Sequence, residues 1–99
     1  MIHVLAIITA KAGKRAALLE AFKAVVPTVR AETGCIEYGP VVDAPDAEPA
    51  FGRDTFVVIE KWESMAALEA HAAASHMRAY GERTKDLVAR RAVHVLTPA

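Results

Sequence analysis

The side chains that can do chemistry on a small molecule are concentrated between positions 60 and 80. This stretch reads EKWESMAALEAHAAASHMRAY and contains Glu60, Trp62, His71, His76 and Tyr80. An imidazole, with a reference pKa of about 6.5, suits a general base near neutral pH. The indole and the phenol each combine a flat apolar ring with one hydrogen-bonding group. This combination is suited to binding or converting a small aromatic molecule.

Each of these side chains also has a purely structural interpretation. Trp62 can be a large core residue instead of the wall of a pocket for a flat ring. Glu60 lies on the same face of the predicted strand, where a lone carboxylate either pairs with an Arg or His or faces a cavity. Of these two outcomes we expect the salt bridge. His71 lies at the edge of the apolar face of its helix, where it can tether a loop or cap a neighbour.

His76 falls in the first turn of the following helix. The positive end of the helix dipole disfavours imidazolium there, so a neutral ring able to accept a proton is expected. His71 and His76 are five residues apart across a predicted helix break, whereas zinc sites on one helix face use an i, i+4 pair. We therefore predict no metal site.

Other chemical motifs are absent from the chain. Cys35 is the only cysteine, which excludes an internal disulfide and a CxxC site, and we expect it to be a small buried hydrophobe. The patterns GxSxG, GxGxxG and the P-loop do not occur.

Length and charge narrow the class of protein. The 99 residues predict a single domain over 1–99. Lys+Arg and Asp+Glu number 12 each, so nothing favours nucleic acid or an anionic membrane as a partner. No apolar run approaches the ~20 residues that span a bilayer, and no basic segment precedes the first strand. A cytoplasmic location is the resulting expectation.

The first half of the chain predicts two strands around one helix. Residues 2–10 are β-branched and aliphatic, and 14–33 carry an apolar helical stripe. Pro27 lies inside this stripe and predicts a kink or break near Lys23. Gly34 is expected to stop the helix in the left-handed conformation. A second strand at 35–42 follows.

The second half predicts a long loop, a strong strand, two helices and a last strand. The loop covers 43–54 and the strand 55–62. Ser64 is expected to cap a helix from Met65 to about Ala74, and Ser75 to cap the next helix. The second of these helices carries a helical stripe formed by Met77, Tyr80, Thr84, Leu87 and Val88. The last strand is predicted at 92–97.

The order β-α-β-β-α-β is that of a split βαβ, or ferredoxin-like, α+β fold. It predicts a four-stranded antiparallel sheet with helices on one face. The other face carries many aliphatic side chains and needs cover. We therefore expect two sheets to pack face to face in a homodimer.

A set of short motifs occurs in a fixed order along nearly the whole chain. They are VPTVRAETGC (26–35), ETGCIEY (32–38), PVVDA (40–44), IEKWES (59–64), LEAHAAASHMRAY (68–80) and a terminal VLTP. Together they resemble the antibiotic biosynthesis monooxygenase family, and within it the bacterial quinol monooxygenase branch. The resemblance implies a dimeric ferredoxin-like αβ barrel. It also implies oxidation of quinols or similar polyphenols by O2 without flavin, haem or metal.

The residues missing from the sequence separate the branches of this family. Haem-degrading and anthrone-oxidising relatives rely on an Asn together with the Trp, and this chain contains neither Asn nor Gln. The resemblance therefore favours the quinol branch. The matching residues are Glu60, Trp62, His71, His76 and Tyr80.

The predicted activity is cofactor-independent oxidation of a quinol or similar polyphenol, with O2 as co-substrate and no cofactor. A deprotonated quinol can pass one electron to triplet O2, so the protein needs a base, a dry aromatic pocket and hydrogen bonds to the developing charge. The candidates are His71 or His76 as base, Trp62, Phe56 and Met65 or Met77 as pocket, and Tyr80 or Tyr38 as donors, with Glu60 also facing the substrate.

Two alternatives remain open from the sequence. His71, His76 and Glu60 can shuttle protons in an isomerase or epimerase of a small carbonyl metabolite. That reading predicts a more polar pocket and no O2 consumption. A dimeric module that binds a hydrophobic metabolite without turnover is the second alternative.

Overall fold

The computed structural model describes residues 1–99 as four strands and three helices. These are β1 (Ile2–Ala10), α1 (Arg15–Arg30), β2 (Cys35–Val41), β3 (Thr55–Trp62), α2 (Met65–Ala73), α3 (Ser75–Thr84) and β4 (Val88–Leu96). The strands form one sheet in the order β2-β3-β1-β4, and every neighbouring pair is antiparallel. The predicted ferredoxin-like arrangement is confirmed.

The helices cover one face of the sheet, and the strand side chains on that face form the core together with α1. The register pairs Val4 with Glu60 and Ala6 with Val58, so the even-numbered residues of β1 and β3 point the same way. The core joins them to the buried stripe of α1, which includes Leu18 and Phe22. Glu60 is thus a carboxylate on the helix-covered side of a central strand.

α1 runs without a break through Pro27. Of the two consequences predicted for this proline, a break near Lys23 is therefore wrong. The proline removes one backbone hydrogen bond, but the buried stripe on both sides of it, ending at Val29, holds the helix against the sheet. The helix ends at Arg30, three residues earlier than predicted.

Gly34 follows this helix in the left-handed region, with φ of 86°, as predicted. A Cβ on Gly34 would lie 2.6 Å from the Cβ of Ala67 on α2. Any larger residue there is opposed both by the backbone conformation and by the close approach of α2. This position therefore sets how near α2 lies to the α1–β2 turn.

The N-terminus of α2 is as predicted, whereas that of α3 is not. The Ser64 hydroxyl accepts a hydrogen bond from the Ala67 amide at 3.2 Å. Ser75 is the first residue of α3, and the capping position is Ala74, which has no side-chain oxygen. The predicted cap at Ser75 is wrong because the two helices are joined by this single extended residue.

β4 begins at Val88, four residues before the predicted start at 92. Leu87 and Val88 continue the helical stripe in sequence, but Val88 pairs with Ala10 at the end of β1 and Leu87 lies in the turn before it. The Lys11 amide donates to the Leu87 carbonyl at 2.8 Å. Pairing with a neighbouring strand has overridden the local helical pattern.

The face of the sheet away from the helices is open in this chain. It carries Leu5, Ile7, Val57 and Ile59 from the two central strands. Leu5 is 37% exposed, and Val41 and Leu96 on the edge strands are more exposed still. None of the helices is both long and apolar enough to cross a membrane.

Candidate active site

A cavity of about 530 Å³ lies between the sheet and the helices α2 and α3. Its lining is mostly apolar and comes from all four strands and all three helices. The apolar part includes Val4, Ala6, Val58, Leu68 and Met77. The volume falls within the range of sites for small molecules, and the lining suits a flat apolar ring.

A carboxylate bound by two imidazoles is the strongest polar feature beside this cavity. Nδ1 of His71 lies 2.9 Å from Oε2 of Glu32, and Nε2 of His76 lies 2.7 Å from the same oxygen. The carboxylate accepts hydrogen bonds from both rings, because it has no proton to donate when ionised. Glu32 sits in the turn between α1 and β2, where its amide donates to the Val29 carbonyl at 2.9 Å.

This arrangement assigns the two nitrogens of His71. Nδ1 carries the proton that is donated to Glu32, so Nε2 carries the free lone pair. Every side-chain nitrogen or oxygen atom that is shielded from solvent has a hydrogen-bond partner. Nε2 of His71 has no partner, so this atom is not among the shielded ones. It is therefore accessible, and His71 lines the cavity. The ring presents a proton acceptor to whatever the cavity binds.

Two more polar atoms open onto the cavity for the same reason. The Tyr38 hydroxyl and Oε2 of Glu60 have no protein partner, and both residues line the cavity. The Tyr38 ring lies 5.3 Å from the His71 ring, centroid to centroid. The inner end of the cavity thus combines an acceptor, a phenol and a carboxyl group within an otherwise apolar wall.

Trp62 supports this inner end from behind. It is fully buried, and its ring centroid lies 4.7 Å from that of His71. Its Nε1 donates to Oε1 of Glu60 at 2.9 Å. The salt bridge predicted for Glu60 is therefore wrong: its partner is the neutral indole two residues along the same strand face.

Burial favours the neutral forms of Glu60, Tyr38 and Tyr80. It raises the pKa of Glu60, and the hydrogen bond from Trp62 only partly offsets this. Burial likewise raises the pKa of the Tyr38 phenol well above its usual range, and that of Tyr80 to a lesser extent. Both tyrosines are therefore hydrogen-bond donors near neutral pH and not bases.

The structure brings most of the predicted site residues to one cavity. Those that line it are Glu60, His71, Tyr80, Tyr38 and Met77. Four predicted residues do not line it: Trp62 and Phe56 are fully buried in the core, Met65 is exposed at the start of α2, and His76 lies behind Glu32. Strand alternation places Trp62 and Phe56 on the correct face, but the core beneath the cavity encloses them.

Glu32 is the residue that the sequence interpretation missed. It lies within the ETGC motif, but it is distant in sequence from the cluster at 60–80. Charged residues after a helix are usually solvated, so local pattern does not single it out. Its side chain is 14% exposed and binds both His residues.

Glu32, His71 and His76 also offer three ligand atoms that all lie within 4.8 Å of one another. One carboxylate and two imidazoles are a common set for divalent transition metals. Here Oε2 of Glu32 itself lies at hydrogen-bond distance from both nitrogens. A metal would have to replace the two N–H protons of these bonds.

Comparison with known proteins gives consistent results. Residues 1–83 match the family model for antibiotic biosynthesis monooxygenase. The probable quinol monooxygenase YgiN of Escherichia coli K12 is 41% identical over 102 residues, covering 99% of this chain and 98% of its own. The crystal structure of PA3566 from Pseudomonas aeruginosa superposes with a TM-score of 0.83 at 30% identity, and the structure of Rv0793 from Mycobacterium tuberculosis with a TM-score of 0.82 at 28% identity. Each superposition covers 99% of this chain, with 93% and 94% of the respective relative.

Proposed function

The chain belongs to the antibiotic biosynthesis monooxygenase family, and from this premise we propose that it oxidises a quinol or similar polyphenol with O2 and without a cofactor. The observation that carries the proposal is His71, which is held by Glu32 and opens Nε2 onto an apolar cavity. The similarity to a probable quinol monooxygenase supports the same substrate class.

The first step is removal of a proton from the quinol. Nε2 of His71 accepts the phenolic proton, and the ring becomes an imidazolium. The Glu32 carboxylate at 2.9 Å stabilises this positive charge and keeps the ring in the tautomer that exposes Nε2. His76 binds Glu32 from the other side and acts as a positioning residue.

The second step is electron transfer from the quinolate to O2. Triplet O2 reacts slowly with closed-shell molecules, but an electron-rich quinolate can give it one electron and form a semiquinone and superoxide. Recombination of these radicals forms a carbon–oxygen bond. Loss of water then leaves a hydroxylated quinone, so one oxygen atom enters the ring, the other leaves in water, and the quinol supplies all four electrons.

The remaining groups of the inner end stabilise the charge that develops on the substrate oxygen. Tyr38 and Tyr80 donate hydrogen bonds because both phenols stay protonated. Glu60, held by Trp62, has a raised pKa and can donate from its free oxygen when protonated. The apolar lining excludes water and so strengthens each of these interactions.

The character of the cavity favours this function over an isomerase acting on a polar metabolite. Most of the lining is hydrophobic, whereas a small carbonyl compound requires more hydrogen-bonding groups than the inner end supplies. A metabolite-binding module without turnover would use the same apolar wall. The free lone pair of His71 favours the monooxygenase over the metabolite-binding module, because binding without turnover has no need of a base.

We further propose that two copies pack through the open faces of their sheets. The central strands leave Leu5 exposed and Ile7 and Ile59 half-buried there, and a contiguous apolar surface of this kind is rarely left in water. The surface is the same on both copies, as a two-fold interface requires. The cavity lies on the opposite side of the sheet and stays open in such a dimer.

The test follows O2 uptake and product mass with menadiol, above the autoxidation blank. Under 18O2 the product should gain one labelled oxygen atom. H71A should lower the rate by about 100-fold or more, the usual contribution of a general base. E69A, on the exposed face of the same helix, is the matched control. Unlabelled quinone would contradict monooxygenation, and a ligand-induced thermal shift without turnover would indicate a binding protein.

A further inference from the structure

Three cationic side chains line the cavity and form what we call its cationic end. The one on β4 is paired with Ile8, four residues along β1 from Val4, the partner of Glu60. Arg78 and Lys85 come from α3 and the residue that ends it, and Arg91 comes from β4. Arg78 and Lys85 are seven positions apart, which is about two turns, so they lie on the same helix face. Arg91 pairs with Ile8 in the sheet register, which places it on the helix-covered side.

This concentration of charge is local. The chain as a whole has 12 basic and 12 acidic residues, yet the only carboxylate lining the cavity is Glu60, at the inner end. Lys85 pairs with Glu82 at 3.1 Å, and both side chains are largely exposed. Neither Arg78 nor Arg91 has an ion-pair partner within the chain.

Arg91 also acts on Tyr80, which lines the same cavity. Its positive charge lowers the pKa of Tyr80, against the larger effect of burial. A ligand long enough to reach both ends would place its charged group among the cations and its ring near His71.

We propose that the cationic end, formed by Arg78, Lys85 and Arg91, binds an anionic substituent of the substrate, so that the preferred ligand is an aromatic ring bearing a carboxylate or similar oxyanion. The aromatic nature of the ligand rests on the proposed function, whereas the anionic group rests on the charges alone. Guanidinium groups suit this task because their N–H fork matches the geometry of a carboxylate.

The cationic end also stays accessible in the proposed dimer. The dimer covers the outer face of the sheet, whereas Arg91 points to the other side. The three cations border the apolar lining of the cavity, and beside such a low-dielectric wall their field is stronger than on a flat surface.

The experiment compares binding of naphthalene-2-carboxylate with that of its neutral analogue naphthalene-2-carboxamide by titration calorimetry. Neither compound is a quinol, so no turnover occurs. The two exposed arginine contacts, each worth up to about fivefold in affinity, predict that the carboxylate binds up to about 30-fold more tightly. The preference should fall as salt is raised from about 25 to about 300 mM, because the contacts are solvent-exposed.

The double variant R78Q/R91Q should lose this preference, while R83Q, a change of exposed charge on the same helix, should keep it. Equal affinities in the native protein, a preference retained in R78Q/R91Q, or no binding of either compound would overturn the proposal. A carboxylate preference without menadiol oxidation would support the cationic end and contradict the proposed function. Oxidation of menadiol without the carboxylate preference would support the proposed function and contradict the cationic end.

Discussion

Replacement of Glu32 by Gln tests the role of the bound His71 most directly. The amide has nearly the same shape as the carboxylate but no charge. Its NH2 group also gives one of the two imidazoles a donor where it now meets an acceptor. If that ring is His71, the proton moves from Nδ1 to Nε2 and the base is lost. If it is His76, the base survives but the imidazolium has no counter-charge.

The size of the effect follows from the 2.9 Å separation of Nδ1 and Oε2. Coulomb's law at this distance gives ~1.4 kcal/mol in bulk water and ~6 kcal/mol at an effective dielectric constant of about 20. Mutational data for hydrogen bonds to charged groups, about 1.5–3 kcal/mol, lie within that interval. At 1.36 kcal/mol per factor of ten, E32Q should lower kcat by about 10- to 150-fold.

The assay is O2 uptake with menadiol across a range of pH, with E69Q as the matched control. A phenolic hydroxyl has a pKa of about 10, so at high pH the substrate ionises without help and the deficit of E32Q should shrink. The double variant E32Q/H71A should be no slower than H71A, because the two residues act as one unit. Rates equal to those of E69Q, or additive losses in the double variant, would refute the assignment.

Three further predictions concern the cavity wall, the buried carboxyl group and the open sheet face. Gly81 lines the cavity with open space around it. G81L should therefore obstruct the substrate and lower kcat/KM by about tenfold or more, whereas A79L should not. Full activity of G81L would mean that the ring binds elsewhere. Burial raises the native pKa of Glu60 above its reference value of 4.5. Between the unfolded and the native pKa, the folded state holds a proton that the unfolded chain releases. The free energy of unfolding should therefore fall as pH rises through this interval. E60Q keeps an acceptor for the indole and should flatten this decline in urea unfolding followed at several pH values; parallel profiles would contradict it. I59D should convert the proposed dimer to a monomer, as measured by light scattering, while A70D on an exposed helix face should not. A native protein that is already monomeric would exclude the interface.

Several features of the site could be predicted because they depend on neighbours in sequence. Alternation along β3 places Glu60 and Trp62 on one face, and the helix patterns place His71 and His76 on two successive helices. Ser64 as a helix cap is equally local. Each of these follows from backbone geometry that a few residues determine together.

The errors arise where a distant element competes with a local pattern. Leu87 and Val88 fit a helical stripe, but the end of β1 offers strand pairing, which shortens α3. Pro27 predicts a break, but packing of α1 on the sheet holds the helix together. The core encloses Trp62 and Phe56 because their depth depends on what α1 and α2 place above them.

By itself, the sequence determined the order of the elements, the apolar face of the sheet and the types of side chain available for chemistry, because these follow from periodicity and composition. Only the tertiary structure decided which of those side chains meet. It brought Glu32 across 39 residues of chain to His71, turned the indole of Trp62 toward Glu60, and placed Arg91 opposite α3. Contacts of this kind depend on the close approach of α2 at Gly34 and on the register of β4, which no local pattern specifies.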